Sequence, residues 1–95
     1  MLKFDWNSDK DRVNRDKHGV SFEEARSVFY DEDAIQFFDE SHSLEEDRFI
    51  MLGVSVKLRI LVVVHCERED GRVIRIISAR KVTARERRFY EGSKL

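Results

Sequence analysis

Three histidines, a block of arginines and one cysteine are the residues of this chain whose types could do chemistry. Histidine changes charge near neutrality without special help. His65 closes the apolar run Ile60-Leu61-Val62-Val63-Val64, and Glu67 follows two positions on. In a strand those two side chains share a face, so the carboxylate could orient the ring for proton transfer. A hydrogen-bonded structural histidine fits the same pattern equally well. His18 follows Lys17 and precedes Gly19, at the end of an expected helix, where the helix dipole favours a protonated ring. It reads as a helix cap or as a second proton-transfer group. His42 sits in a polar loop and reads as solvated.

The arginines form the other group. Arg75, Arg80, Arg85, Arg87 and Arg88 carry forked donors suited to phosphate oxygens. Phe89 and Tyr90 follow directly and could stack on bases or offer a phenol. On a helix opening near Ala84, Arg85 and Arg88 share a face while Arg87 points elsewhere. A solvated terminal helix would carry the same charges. The chain has no paired Cys or His at metal-ligand spacing, no calcium-loop pattern among its acids and no glycine-rich phosphate loop. Cys66 has no nucleophile motif around it, and a small buried thiol is expected. Metal-free acid–base chemistry without a cofactor is the enzymatic possibility that remains.

The chain that must position these groups has 95 residues, with 41 % apolar and 39 % charged side chains. That length predicts a single domain over 1–95. No apolar run approaches the ~18 residues needed to span a bilayer, and the opening Met1-Leu2-Lys3-Phe4-Asp5-Trp6 is unlike a signal peptide. With one cysteine no internal disulfide forms, and a reducing cytoplasm is the expected location. The net charge of −1 conceals an asymmetry: residues 1–50 hold 14 acids against 7 bases, and residues 51–95 hold 5 against 11. Between Asp31 and Asp47 there are eight acids and no Lys or Arg. Two electrostatically distinct surfaces are expected, unless the halves neutralise each other in the fold.

Leu2, Phe4 and Trp6 alternate with polar residues, as in a short half-buried strand. Asn7 caps a helix over 8–17 that Gly19 ends. Ser21 and Glu24 form a capping box before a second helix with Phe22, Ala25, Val28 and Phe29 on its apolar face. Strands are expected over 34–39, 48–54, 58–67 and 73–79, with a polar loop at 40–46. Thr83 and Glu86 form a second capping box, opening a helix that Gly92 ends. The order β-α-α-β-β-β-β-α predicts an α+β domain, an antiparallel sheet with helices packed on it.

Asp70-Gly71 reads as a two-residue hairpin loop, so that paired residue numbers sum to 141. One face then carries Ile60, Val62, Val64 and Cys66 with Val73, Arg75, Ile77 and Ala79, and is expected to be the core under the helices. The other carries Leu61, Val63, His65 and Glu67 with Ile74, Ile76, Ser78 and Arg80, and is expected to hold the chemistry. A one-residue slip would instead place Arg75 opposite His65.

The stretches Lys17-His18-Gly19-Val20-Ser21-Phe22-Glu23-Glu24-Ala25, Asp47-Arg48-Phe49, and Arg75-Ile76-Ile77-Ser78-Ala79-Arg80 followed by Thr83-Ala84-Arg85-Glu86-Arg87-Arg88 resemble the BrnT toxins of bacterial type II toxin–antitoxin pairs. Phe4-Asp5-Trp6 fits as well, so the resemblance spans nearly the whole chain. It implies a small ribonuclease with a RelE-like fold, neutralised by a BrnA-like antitoxin that carries a ribbon-helix-helix DNA-binding part. It favours a toxin–antitoxin heterotetramer that meets DNA only through the antitoxin. The matching motifs contain Lys17, His18, Arg48, Arg75, Arg80, Arg85 and Glu86.

The expected reaction is endoribonucleolytic cleavage without a metal. A base takes the ribose 2′-hydroxyl proton, the oxygen attacks phosphorus, arginines hold the charge, and an acid protonates the departing 5′-oxygen. Arg75 and Arg80 are expected at the phosphate, with His65 or His18 moving protons. Lys17, Arg48, Arg85, Arg88 and Tyr90 are expected to position RNA. The competing reading is a non-catalytic interaction module, in which the acidic segment docks a basic partner and the arginines form structural ion pairs or bind nucleic acid without cutting it.

Overall fold

The computed structural model of the protein describes residues 2–94. Its elements are β1 (Lys3–Asp5), α1 (Ser8–His18), α2 (Phe22–Ser27) continuing into a 3-10 turn (Val28–Tyr30), β2 (Ile35–Phe38), a 3-10 turn (Glu40–His42), β3 (Arg48–Val54), β4 (Ile60–Arg68), β5 (Val73–Lys81) and α3 (Ala84–Ser93). The α+β class and the element order are those expected from the sequence. The five strands lie in the order β1-β5-β4-β3-β2. β2 to β5 pair antiparallel, but β1 lies parallel to β5, with Phe4 beside Ile74. The sheet is therefore mixed, not antiparallel throughout. Alternation marked β1 as a strand but carries no information about its direction.

Local signals explain the helix ends. Asn7 Oδ1 accepts from the Asp9 and Lys10 amides at 2.9 and 3.0 Å. Gly19 takes a left-handed φ of 69° and returns its amide to the Arg15 carbonyl. Both halves of the Thr83–Glu86 capping box are made, and α3 runs past Gly92 to Ser93. The Ser21 box is only half made. Ser21 Oγ accepts from the Glu24 amide at 3.0 Å, but the buried Glu24 carboxylate turns away to Ser55 Oγ at 2.7 Å and to the Arg59 guanidinium. A paired charge is worth more to a buried carboxylate than one backbone amide. These bonds hold its pKa below the usual carboxylate range against the opposing effect of burial, the largest single influence.

The sheet is covered on both faces. Val20, Phe22, Ala25 and Val28 pack against Leu61, Val63, Ile74, Ile76 and Ala79. On the opposite face, Tyr90 of α3 packs with Leu52, Ile60 and Val62. The expected assignment of faces is thus reversed: α1 and α2 cover the Leu61, Val63 and His65 face. β4 is apolar on both sides, so hydrophobicity alone does not select which side the first two helices cover. Gly53 permits their close approach, because a Cβ there would meet Val28 Cγ1 at 2.7 Å. Asn14 closes the β5 edge beyond the short β1. Its side-chain oxygen accepts from the Ala79 amide at 3.2 Å, and its amide nitrogen donates to the Ala79 and Val20 carbonyls at 2.8 Å each.

The β4–β5 register changes partway. Pairs from Arg68–Val73 to His65–Ile76 sum to 141, as expected, and pairs from Val64–Ser78 to Leu61–Lys81 sum to 142. Ile77 is the extra residue of the resulting bulge. The hairpin loop is also wider than two residues: Glu69, Asp70 and Gly71 all have positive φ.

Candidate active site

α3 covers only one end of its face of the sheet. At the other end a row of partners crosses three strands, Arg48 on β3, Cys66 on β4 and Arg75 on β5. The polar loop before β3 and the Ile77 bulge complete a hollow of about 430 Å³, lined in part by His42, Arg48, Cys66 and Ile77. Arg48 Nε is buried there without a hydrogen-bond partner, its nearest carboxylate oxygen being Asp39 Oδ2 at 3.8 Å. Arg75 Nη1 donates to Asp5 Oδ2 at 2.5 Å. Burial, followed by the nearby Glu46 carboxylate, raises the Cys66 thiol pKa above its ordinary value. The thiol stays protonated near neutrality, which suits a floor and not a nucleophile.

The loop is braced from within. The Asp39 amide donates to the Arg48 carbonyl at 2.7 Å, Ser43 Oγ donates to the Asp39 carbonyl at 2.6 Å, and the Arg48 amide donates to Ser43 Oγ at 2.9 Å. On this frame His42 Nδ1 lies 3.1 Å from Asp39 Oδ2 and 3.0 Å from Ser41 Oγ. The bond from His42, with further help from Ser41 and Arg48, holds the Asp39 carboxyl below its ordinary pKa. Sequence reasoning passed over this pair. The Asp39-x-x-His42 spacing on a single turn was the available signal, and the loop's polarity masked it.

A second hollow of about 330 Å³ adjoins the first across Ile77, at the α1 edge, where Lys17, His18 and Ser78 line it. Ile77 lines both hollows, but Lys17 and His18 stand at the far end of α1, where the next residue's carbonyl, that of Gly19, accepts from Arg59 at 3.1 Å ahead of β4. Arg48 and Arg75 flank Cys66 near the other end of that strand.

The remaining candidates lie elsewhere. His65 is on the opposite face with no exposed surface. It packs between Phe29 and Phe49, at ring-centroid distances of 4.8 and 5.7 Å, and neither ring nitrogen has a hydrogen-bond partner. Glu67 Oε2 is 3.8 Å from Nε2, too far to bond. Burial pushes its pKa down to about 4, so it is a neutral core ring. The sequence placed it on the accessible face only because α1 and α2 were assigned to the other one. Tyr90 is likewise buried, its hydroxyl donating to Asp31 Oδ2 at 2.5 Å, and it offers no ring to a base. Arg80 shares the Arg75 face but is held by Glu86 through two bonds of 2.8 and 2.9 Å. That pairing, aided by the Thr83 amide, draws the Glu86 pKa down to about 2. Arg85 and Arg88 are exposed on α3, Arg85 beside a groove of about 520 Å³ with Phe37 and Phe89. Among the described residues no helix is long and apolar enough to cross a membrane.

A family model described as "Ribonuclease toxin, BrnT, of type II toxin-antitoxin system" matches residues 6–86. Among solved structures, the crystal structure of the Brucella abortus ribonuclease toxin BrnT is similar in fold, with a TM-score of 0.65 at 22 % sequence identity. The likeness covers 87 % of this chain and 99 % of that one. No match was found among curated proteins.

Proposed function

Because the chain belongs to the BrnT family of ribonuclease toxins of type II toxin–antitoxin systems, we propose that it cuts RNA at the open end of the α3 face by a metal-independent route. The observation that carries this reading is the row Arg48–Cys66–Arg75, two guanidiniums over a small apolar floor beside an open hollow. The ribose 2′-oxygen attacks the adjacent phosphorus after losing its proton to a base. Arg48 and Arg75 hold the negative charge that develops on the phosphorane. A preplaced donor of this kind contributes on the order of 3–4 kcal/mol to the barrier reduction. An acid protonates the departing 5′-oxygen. Acid–base help of this sort adds roughly 10²–10⁴-fold.

Lys17 and Arg85 extend the cationic surface on either side for the flanking RNA backbone, and Arg88 adds to it on α3. Arg80, held by Glu86, positions the start of α3. A phosphate approaching Arg75 displaces Asp5, whose side chain is half exposed and readily solvated.

The toxin's partner in this reading is a BrnA-like ribbon-helix-helix antitoxin that closes the site in a cytoplasmic heterotetramer and supplies the only contact with DNA. Purified protein incubated with RNA, with and without EDTA and with and without the antitoxin, tests the whole. Cleavage that survives EDTA, stops with antitoxin and leaves 2′,3′-cyclic or 3′-phosphate ends is expected. Cleavage lost in EDTA and restored by magnesium would overturn the mechanism. RNA binding without cleavage would favour an interaction module.

A further inference from the structure

We propose that His42, oriented by Asp39, is the general base of this site; the proposal rests on the ribonuclease reading above and names a residue it did not assign. Among the described histidines, His65 is sealed in the core and His18 stands at the far end of α1, beside the Gly19 carbonyl that Arg59 bonds. His42 lines the same hollow as Arg48 and Cys66, with 63 % of its side chain exposed. A ring that only decorated a solvated loop would have no reason to be fixed. This one is held from one side: Asp39 Oδ1 and Oδ2 lie 3.2 and 3.1 Å from Nδ1. The same carboxylate accepts from Ser41 Oγ at 3.0 Å and faces Arg48 Nε at 3.8 Å.

A carboxylate at Nδ1 selects the tautomer with its proton there and leaves the Nε2 lone pair free. It also stabilises the imidazolium that forms when Nε2 takes a proton, the role an aspartate plays behind a catalytic histidine. The ribose 2′-O–H proton passes to Nε2 of His42, the O2′–P bond forms, the P–O5′ bond breaks, and O5′ takes a proton from a water molecule. The products are a 2′,3′-cyclic phosphate and a 5′-hydroxyl, and the His42 imidazolium then returns its proton to the hydroxide left behind. Asp39 is a positioning residue and does not touch the RNA.

The charged and titratable groups around His42 are Asp39 on its own turn, Glu45 and Glu46 on the loop's return, Arg48 on β3 and Cys66 on β4. The test compares wild type, His42→Ala and Asp39→Asn for RNA affinity, single-turnover cleavage against pH, and rescue by added imidazole. His42→Ala is expected to cleave 10²–10⁴-fold more slowly with RNA affinity within threefold of wild type. It should lose the rising limb of the pH profile and recover partly with imidazole. Asp39→Asn should keep that limb with a slower rate. His42 is exposed, so a thermal melt should show a folded variant. Wild-type cleavage with an unchanged rate and profile in His42→Ala would overturn this inference and leave the ribonuclease reading standing. No cleavage by wild type would remove both.

Discussion

The Tyr90 hydroxyl donates a 2.5 Å hydrogen bond to Asp31 Oδ2, which also accepts from the Val54 amide at 2.8 Å. One carboxylate thereby fastens the end of α3 and the end of β3 to the turn before β2. The bonds keep the Asp31 carboxyl below its ordinary pKa despite burial, while burial first, and then the Asp31 carboxylate, raises the tyrosine's. This clamp leaves α3 over one end of its face and the Arg48–Cys66–Arg75 row uncovered at the other.

Replacing Tyr90 with Phe removes that bond while keeping the ring packed on Leu52, Ile60 and Val62. A loss of about 1–3 kcal/mol is expected, since the acceptor is charged. Urea unfolding measures it. RNA cleavage by the folded fraction should stay within a few-fold of wild type, whereas a stacking role for Tyr90 would make the activity fall more than the stability.

His65 predicts an acid-sensitive fold. Its folded pKa of about 4 lies below the 6.5 of an exposed ring, so the unfolded chain binds more protons between those values. Stability is fully present above pH 6.5 and is lost as pH falls toward 4. From pH 7 to 5 the loss amounts to roughly 2 kcal/mol. Urea midpoints at the two pH values should differ by less in His65→Leu than in wild type. Equal differences would contradict the burial of a neutral ring.

Glu86 adds a lower window. Its folded pKa of about 2 against an ordinary 4.5 gives stability that is present above 4.5 and lost as pH falls toward 2. Both partners are partly exposed to water, which screens the pair to roughly 1 kcal/mol. Glu86→Gln should flatten acid unfolding in that range. If Arg80 only positions α3, Arg80→Ala and Glu86→Gln should reduce cleavage by similar modest factors. Loss of cleavage in Arg80→Ala alone would instead put Arg80 at the phosphate.

Asn14→Ala uncovers the Ala79 amide and the Ala79 and Val20 carbonyls, all satisfied by one side chain. Destabilisation on the order of 3 kcal/mol is expected from buried groups left unpaired. Faster hydrogen exchange at the Ala79 amide would locate the effect.

The helix caps at Asn7, Ser21 and Thr83 were legible because each is a local pattern with its own hydrogen bonds. The hairpin register was legible near the loop, from His65–Ile76 to Arg68–Val73, and lost beyond Ile77. A bulge inside Val73–Ala79 leaves no mark when the residues on both sides are apolar. The same apolarity hid which face α1 and α2 cover, and with it the burial of His65. Strand pairing sets Arg48 and Arg75 on either side of Cys66, but the sequence reading put Arg75 on the face expected under the helices, which α3 leaves open at that end. Arg80 did not remain free because Glu86, read as a cap, also reaches it. His42 was missed because its partner Asp39 lies in a loop whose charge suggested solvent and nothing else.

The cleavage rate of one RNA by the Arg48→Ala/Arg75→Ala double variant, compared in EDTA with wild type and with Arg87→Ala on α3, tests the placing of the active site most directly. A fall of at least 10²-fold in the double variant, with Arg87→Ala near wild type and all three folded, is the expected result. A double variant that cuts as fast as wild type, or no slower than Arg87→Ala, would contradict it.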